Sequence, residues 1–270
     1  MTKNDAEVWV DPHAGFQIDR IDTCVTQEYQ KEKLDALELD TSRYGHQVDP
    51  SFYIGLGIHA GIASGISAEG NVNMLSSIIQ HRPLVLGEML YSAGCIQAVE
   101  PVPRGRRITT DVWFEDEAGG RAVSVPRESL KPDPSKSARG AGERPAPVIS
   151  EVSSLEILGE HQLTPEGTRG YSTEGNAIHY EEDVAQAAGF RAPIIGGGQG
   201  VHYLMWHLWQ DGIQSMHLDV FFRRPIFWDD RVQVGRAKDG AAIALLREGN
   251  GDEPTKVLTE IRVNEMERET

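Results

Sequence analysis

The chain has 270 residues, 39% of them hydrophobic and 25% charged, a balance that supports buried cores and excludes a disordered polymer. With 41 acidic against 26 basic residues, its formal charge of −15 repels nucleic acid and anionic membrane, but still allows an anionic ligand met by a local basic cluster. The segment Met1 to Glu7 has no apolar leader, no stretch approaches a membrane span, and Cys24 and Cys95 lie far apart without metal-type spacing. These features predict a cytoplasmic protein with reduced thiols, no membrane association and no nucleic-acid partner.

The length suits two ordinary domains better than one. In chain order, residues 1–40 read as an N-terminal extension with a short helix over Gln27 to Leu39 and no assigned function. Residues 41–130 read as a first domain. It has a glycine-rich approach to His59, an apolar helix, and strands over Ser76 to Gln80, Met89 to Val99, Arg106 to Phe114 and Ala122 to Pro126. Residues 131–150 read as a linker, because Lys131 to Pro147 is rich in Pro, Gly and charge and has no periodicity. Residues 151–270 read as a second domain. Its helices are expected over Glu181 to Ala188, ending at Gly189, and over Val201 to Gln210. Its strands are expected over Met216 to Phe222, Val232 to Ala237, Ile243 to Arg247 and Val257 to Val263.

The two domains repeat one another. Ile79-Gln-His-Arg-Pro-Leu84 aligns with Phe221-Phe-Arg-Arg-Pro-Ile226 at an offset of 142 (224 minus 82). Upstream, Gly55-Leu-Gly-Ile-His59 aligns with Gly197-Gly-Gln-Gly-Val-His202 with one residue of slippage. His59 to His81 and His202 to Arg224 both span 22 positions. A proline cannot donate to an interior ladder, so Pro83 and Pro225 are expected at bulges or strand junctions. A helix and a curved antiparallel sheet, twice over, make an α+β fold.

The chemistry concentrates between Tyr171 and Gly200. Glu174, Asn176 and His179 place a carboxylate, an amide and an imidazole within six residues. Beyond Pro193, the run Gly196, Gly197, Gly198 opens an apolar helix whose first N–H groups face outward with the positive end of its dipole. Such a terminus can hold an oxyanion. An acid/base pair beside it suffices to add water to, or remove it from, a double bond conjugated to a carbonyl. His179 exchanges a proton near neutrality, and Glu174 either holds its tautomer or shares the activated water.

These residues resemble a family. Ser172-Thr-Glu-Gly-Asn-Ala-Ile-His179, followed by Ala188-Gly-Phe-Arg-Ala-Pro-Ile-Ile-Gly-Gly197, is similar to the signature of the MaoC-like dehydratases and (R)-specific enoyl-CoA hydratases in their tandem hot-dog form. That signature runs Ser-Gly-Asp-x-Asn-Pro-x-His, then Ala-x-x-x-Gly-Phe-x-x-Pro-x-x-His-Gly. The resemblance implies two tandem hot-dog domains and a hydro-lyase acting on a (3R)-hydroxyacyl or 2-enoyl thioester. Glu174 takes the catalytic Asp position, His179 the catalytic His, Asn176 the polar helper, and the Gly197 N–H the oxyanion donor. The first domain lacks this cluster, and in such proteins it helps hold the acyl chain. Gly196, Gly198, Tyr171 and Trp206 are expected to contact substrate. Glu174 replaces Asp, Thr173 a Gly, Ala177 a Pro and Gly196 a His. One extra methylene moves a carboxylate by roughly 1 Å, a displacement that costs about 100-fold where positioning is the catalytic device.

The partner is then a small-molecule acyl thioester of coenzyme A or an acyl carrier, with no metal and no redox cofactor, in a monomer or homodimer. The alternatives are a catalytically reduced acyl- or partner-binding protein and a thioesterase. His59 and His202 read as buried or capping residues, and Trp206, Trp209 and Trp228 are also compatible with plain core. Arg104, Arg106, Arg107, Arg223, Arg224 and Arg231 are candidates for phosphate contacts or ordinary strand-end charges.

Overall fold

A computed structural model describes residues 9–136, 140, 142–172, 176–251 and 253–269. The chain opens with β1 (Gln17–Ile18), β2 (Asp22–Cys24), α1 (Gln27–Ala36) and α2 (Phe52–Ala63), then β3 (Val72–Gln80), β4 (Met89–Val102), β5 (Gly105–Glu115), β6 (Arg121–Ser124) and β7 (Arg127–Pro132). The second half runs β8 (Glu156–Gln162), α3 (Pro165–Tyr171), α4 (Glu182–Ala187), α5 (Gly197–Leu208), β9 (Ile213–Phe222), β10 (Arg231–Arg236), β11 (Ala242–Arg247) and β12 (Lys256–Arg268). The architecture is α+β: an apolar helix in each half lies against one continuous antiparallel sheet.

The sheet order is β1-β4-β5-β6-β3-β9-β12-β11-β10-β8, with β2 on β4 and β7 bridging β3 and β5. The halves join where β3 pairs antiparallel with β9, Leu75 opposite Phe221 through Gln80 opposite Met216. This register maps onto itself under the offset of 142, and its centre is the pair Ser77 and Asp219, where the Ser77 hydroxyl donates to Asp219 Oδ1 at 2.7 Å. A pseudo-two-fold axis therefore passes between these two residues. The same offset relates Val85 to Phe227, each in an isolated bridge just beyond its Arg-Pro. Pro83 and Pro225 sit just beyond the ends of β3 and β9, as a residue without an N–H requires.

Burial follows the period of each element. Along β3, Met74, Ser76, Ile78 and Gln80 face inward, and along β5 Ile108, Thr110, Val112 and Phe114 do. Helix α5 is buried on nearly every side, so its glycines are tolerated by packing rather than by propensity. Gly57 of α2 is needed for close approach: a Cβ there would stand 2.9 Å from Val125 Cγ2.

Several elements differ from expectation. Helix α5 begins at Gly197 rather than Val201 and ends at Leu208, because packed surroundings hold the glycine run helical. Helix α1 stops at Ala36, where Glu38 turns to a φ of 57°, and Thr26 caps its start by accepting the Tyr29 N–H. Helix α4 ends before Gly189, whose φ of 86° suits the left-handed position after a helix. Strands β3, β4, β9 and β12 run longer than expected, because a paired neighbour carries them past their apolar cores.

Strand β7 reaches Pro132, into the stretch read as linker, and residues 145 to 149 are tied to the second half. Arg223 donates to the carbonyls of Pro145 and Ala146, and buried Glu260 accepts the N–H groups of Val148 and Ile149. The N-terminal segment is likewise built in. Leu34, Leu37 and Leu39 enter the main core, and Lys33 donates to the carbonyls of Gly170 and Tyr171 at the end of α3. No helix among the described residues is long and apolar enough to cross a membrane. Cys24 and Cys95 are both free thiols.

Candidate functional site

The site forms where the chain returns from α4 to the start of α5. Pro193, Ile194 and Ile195 are pinned on both sides. The Ile194 N–H donates to the Ile178 carbonyl, the Ile195 N–H to the Ile226 carbonyl, and the Trp228 N–H to the Pro193 carbonyl. This brings the Ile194 carbonyl to 2.7 Å from His179 Nδ1. A carbonyl only accepts, so Nδ1 carries the proton and Nε2 presents its lone pair. The tautomer of His179 is thus held by backbone, a role the sequence had offered to Glu174. Burial pulls the His179 pKa below its ordinary value, and the Ile194 hydrogen bond opposes that shift only in part. The lowered pKa favours the neutral ring, with Nε2 able to accept a proton.

Gly196 lies beside this nitrogen: a Cβ on Gly196 would stand 3.8 Å from His179 Nε2 and 3.8 Å from the Ser172 hydroxyl oxygen. Gly196 is the N-cap of α5, with no side chain capping the helix, and among the described residues nothing accepts from the N–H groups of Gly197 and Gly198. A Cβ on Gly197 would meet Phe222 Cε1 at 2.9 Å, and one on Gly198 would come within 3.3 Å of the Tyr171 hydroxyl. His179, Ser172, Tyr171 and the glycine run therefore border one small space at the positive end of α5. Asn176 caps the short 3-10 turn Ala177–His179, with its carbonyl accepting the His179 N–H. Glu174 lies outside the described residues.

Trp206 is not brought to this space. It lies nine positions beyond Gly197 on α5, about 13 Å along the axis, with its N–H donated to the Asp40 carbonyl at 3.1 Å and the Arg43 guanidinium stacked on its ring. Trp209 and Trp228 are buried core residues. The named arginines are largely engaged: Arg106 with Asp11, Arg107 with Glu128, Arg223 with Glu260, Arg231 with Glu160, and Arg224 with the Val257 carbonyl. Among the described residues, no group of three or more His, Cys, Asp or Glu side chains could hold a metal ion.

Behind the glycine run lies a buried polar network not anticipated from the sequence. His202 is fully buried, with Nδ1 at 2.7 Å from Asp49 Oδ2 and Nε2 at 2.9 Å from the Tyr171 hydroxyl. Asp49, also fully buried, accepts from the Tyr44 hydroxyl and the Ser51 N–H at 2.8 Å each. A carboxylate accepts only, so His202 donates from Nδ1, and its Nε2 takes the Tyr171 O–H. The network runs from the first half, through the middle of α5, to a hydroxyl facing Gly198. Burial, with the Asp49 charge beside it, keeps the Tyr44 hydroxyl protonated. The sequence could not have linked Asp49 to His202, 153 positions away. Ser172 was passed over too, although its place at the head of the Glu174 cluster was a signal.

No protein-family model and no curated protein sequence matches the chain. Solved structures do. HtdX of Mycobacterium tuberculosis superposes with a TM-score of 0.71 at 16% identity, covering 90% of this chain and 98% of that one. A MaoC-like dehydratase from Phytophthora capsici gives 0.68 at 16% identity, covering 92% and 95%. Another Mycobacterium tuberculosis protein, described as having a double hotdog fold, gives 0.58 at 12% identity, covering 94% and 96%. The chain has the double hot-dog fold, and the MaoC-like dehydratases are among its structural neighbours.

Proposed function

We propose that the protein is a hydro-lyase that adds water to a 2-enoyl thioester or removes it from the corresponding (3R)-hydroxyacyl thioester, with coenzyme A or an acyl carrier as the thiol. The observation that carries this reading is His179. Its Nδ1 is fixed on the Ile194 carbonyl and its Nε2 faces Gly196, at the uncapped start of α5. A base and an oxyanion-binding terminus thus border one space. The dehydratase neighbours share the fold, and the Glu174-Gly-Asn-Ala-Ile-His179 sequence resembles their signature.

In the hydration direction, His179 Nε2 and the Glu174 carboxylate share a water. One of them takes a proton from the water as the oxygen adds to C3, and that same proton is then delivered to C2, which returns both groups to their starting state. The charge that develops on the thioester oxygen is held by the Gly197 N–H, and dehydration runs the same steps in reverse. The Tyr171 hydroxyl, held by His202, lines the space beside Gly198. Nothing in this scheme draws on Trp206.

Product analysis in ¹⁸O-labelled water separates the readings. The hydro-lyase incorporates one labelled oxygen at C3 with the thioester intact. A thioesterase releases free acid and thiol with label in the carboxylate, and a binding protein gives no turnover. Either of the last two results removes the proposal.

A further inference from the structure

The first half has been given only the task of holding the acyl group, and its inner sheet face is unlike that of the second half. Arg127, the first residue of β7, stands opposite Ser76 on β3 and Thr110 on β5, both buried, so its side chain points inward with them. Its Nη2 lies 3.5 Å from where a Cβ on Gly61 of α2 would be, so the guanidinium is packed on the central helix and the absence of a side chain at Gly61 leaves it room. Among the described residues, Arg127 has neither a salt bridge nor a side-chain hydrogen bond. Burial alone lowers its pKa, to about 10. The residue nevertheless keeps partial accessibility.

Two further polar groups on this face, Ser76 beside Arg127 and Gln80 four residues further along β3, have no partner among the described residues. Ser76 and Gln80 are 1% and 2% exposed, and neither the Ser76 hydroxyl nor either end of the Gln80 amide finds a hydrogen-bond partner. The pseudo-two-fold makes these choices stand out. At the offset of 142, Ser76 corresponds to Leu218 and Gln80 to Phe222. The residue opposite Leu218 on β12, the counterpart of Arg127, is Val263. Where the second half is apolar, the first half places a cation and a hydroxyl side by side, and an amide further along β3, without partners among the described residues. An interior guanidinium without a counterion costs stability, and unpaired buried polar groups add to that cost. A site built to receive a ligand would carry that cost in the free protein.

The placement relates this cluster to the reaction. Phe52 at the start of α2 packs on His202 in the middle of α5, at 4.4 Å between ring centroids. The central helices α2 and α5 therefore touch one another. Arg127 is two strands from β9 and level with Val220, two residues before the Phe222 that touches Gly197, so it lies roughly 12 Å across the sheet from the oxyanion terminus.

Resting on the hydro-lyase reading, we infer that Arg127, with Ser76 beside it, receives a carboxylate at the far end of the acyl group, so that the substrate is the monothioester of a short unsaturated or hydroxylated dicarboxylic acid.

The test compares crotonyl-CoA with glutaconyl-CoA and fumaryl-CoA, whose acyl groups end in a carboxylate, in the intact protein and in Arg127→Met and Arg127→Lys variants. The expected result is a kcat/KM at least about 100-fold higher for a carboxylated thioester than for crotonyl-CoA, a ratio lost in Arg127→Met and partly kept in Arg127→Lys. Arg127→Met should also melt no lower than the wild type, because it removes an uncompensated charge. A preference for crotonyl-CoA, a ratio unmoved by Arg127→Met, or a Met variant that melts many degrees lower would overturn the proposal. If no thioester is turned over, hydration fails as a reading and calorimetric binding of glutaryl-CoA decides this one. Binding lost in Arg127→Met supports the carboxylate site, and equal or absent binding removes it.

Discussion

Substituting Asp49 by Asn tests whether the buried network holds the two halves together. The carboxylate accepts three hydrogen bonds, from Tyr44 and His202 on Oδ2 and from the Ser51 N–H on Oδ1, and both Asp49 and His202 are fully buried. Asparagine keeps the shape but turns one acceptor into a donor. In its better orientation the carbonyl serves Tyr44 and His202, while the new NH₂ faces the Ser51 N–H, leaving two donors opposed and the remaining bonds without charge assistance. A hydrogen bond to a charged group contributes about 1.5–3 kcal/mol, so losing one and weakening two should cost roughly 2–4 kcal/mol. For a chain of this size that lowers Tm by about 5–12 °C. Thermal melts by circular dichroism at matched pH and concentration measure it. Asp35→Asn, which breaks only the exposed pair with Lys31, serves as the control and should move Tm by less than about 2 °C. An Asp49→Asn protein melting within 2 °C of wild type would refute the reasoning.

Gly197→Ala drives a methyl into Phe222 and shifts the oxyanion terminus. It should lower kcat about 10- to 100-fold, with part of that recovered in a Phe222→Leu background. Lys33→Met removes both donors to the end of α3 and should lower turnover more than its modest loss of Tm explains, read by kcat beside a melt. His207 stands 3.1 Å from His161, and burial, His161 and Arg43 lower its pKa to about 4. The unfolded chain binds that proton near pH 6.5, so stability should fall as pH drops from 6.5 to about 4, and His207→Gln should flatten the Tm profile in that window. Burial also lowers the His179 pKa, so activity needing its free Nε2 should persist somewhat below pH 6.5 before it falls, as a pH–rate profile would show.

Much of the fold was legible because the repeat was. The Arg-Pro landmarks and the 142 offset mark the two strands, β3 and β9, whose pairing is centred at Ser77 and Asp219, although the repeat alone does not say that they pair. Elements with little apolar periodicity were not. Strand β8 is polar and lies at the sheet edge, so nothing in its pattern marks it. Helix α3 is rich in glycine, and only Thr164, whose hydroxyl accepts the Gly167 N–H, and Pro165 announced it. At the site, motif spacing pointed to His179 and the glycine run, which the fold does bring side by side. Trp206 lies away from the glycine run, and a helical aromatic gives no sign of how far along the axis its neighbours lie. The Asp49–His202 pair and the lone Arg127 depend on contacts between segments far apart in sequence, which no local pattern encodes.

The central claim is tested most directly by following loss of the enoyl-thioester absorbance with crotonyl-CoA and its carboxylated analogues. The intact protein is compared with Glu174→Gln and His179→Ala variants that melt as the wild type does. The account predicts hydration of at least one thioester by the intact protein and a fall of two orders of magnitude or more in each variant. Turnover that survives His179→Ala, or no hydration of any enoyl thioester by the intact protein, would contradict it.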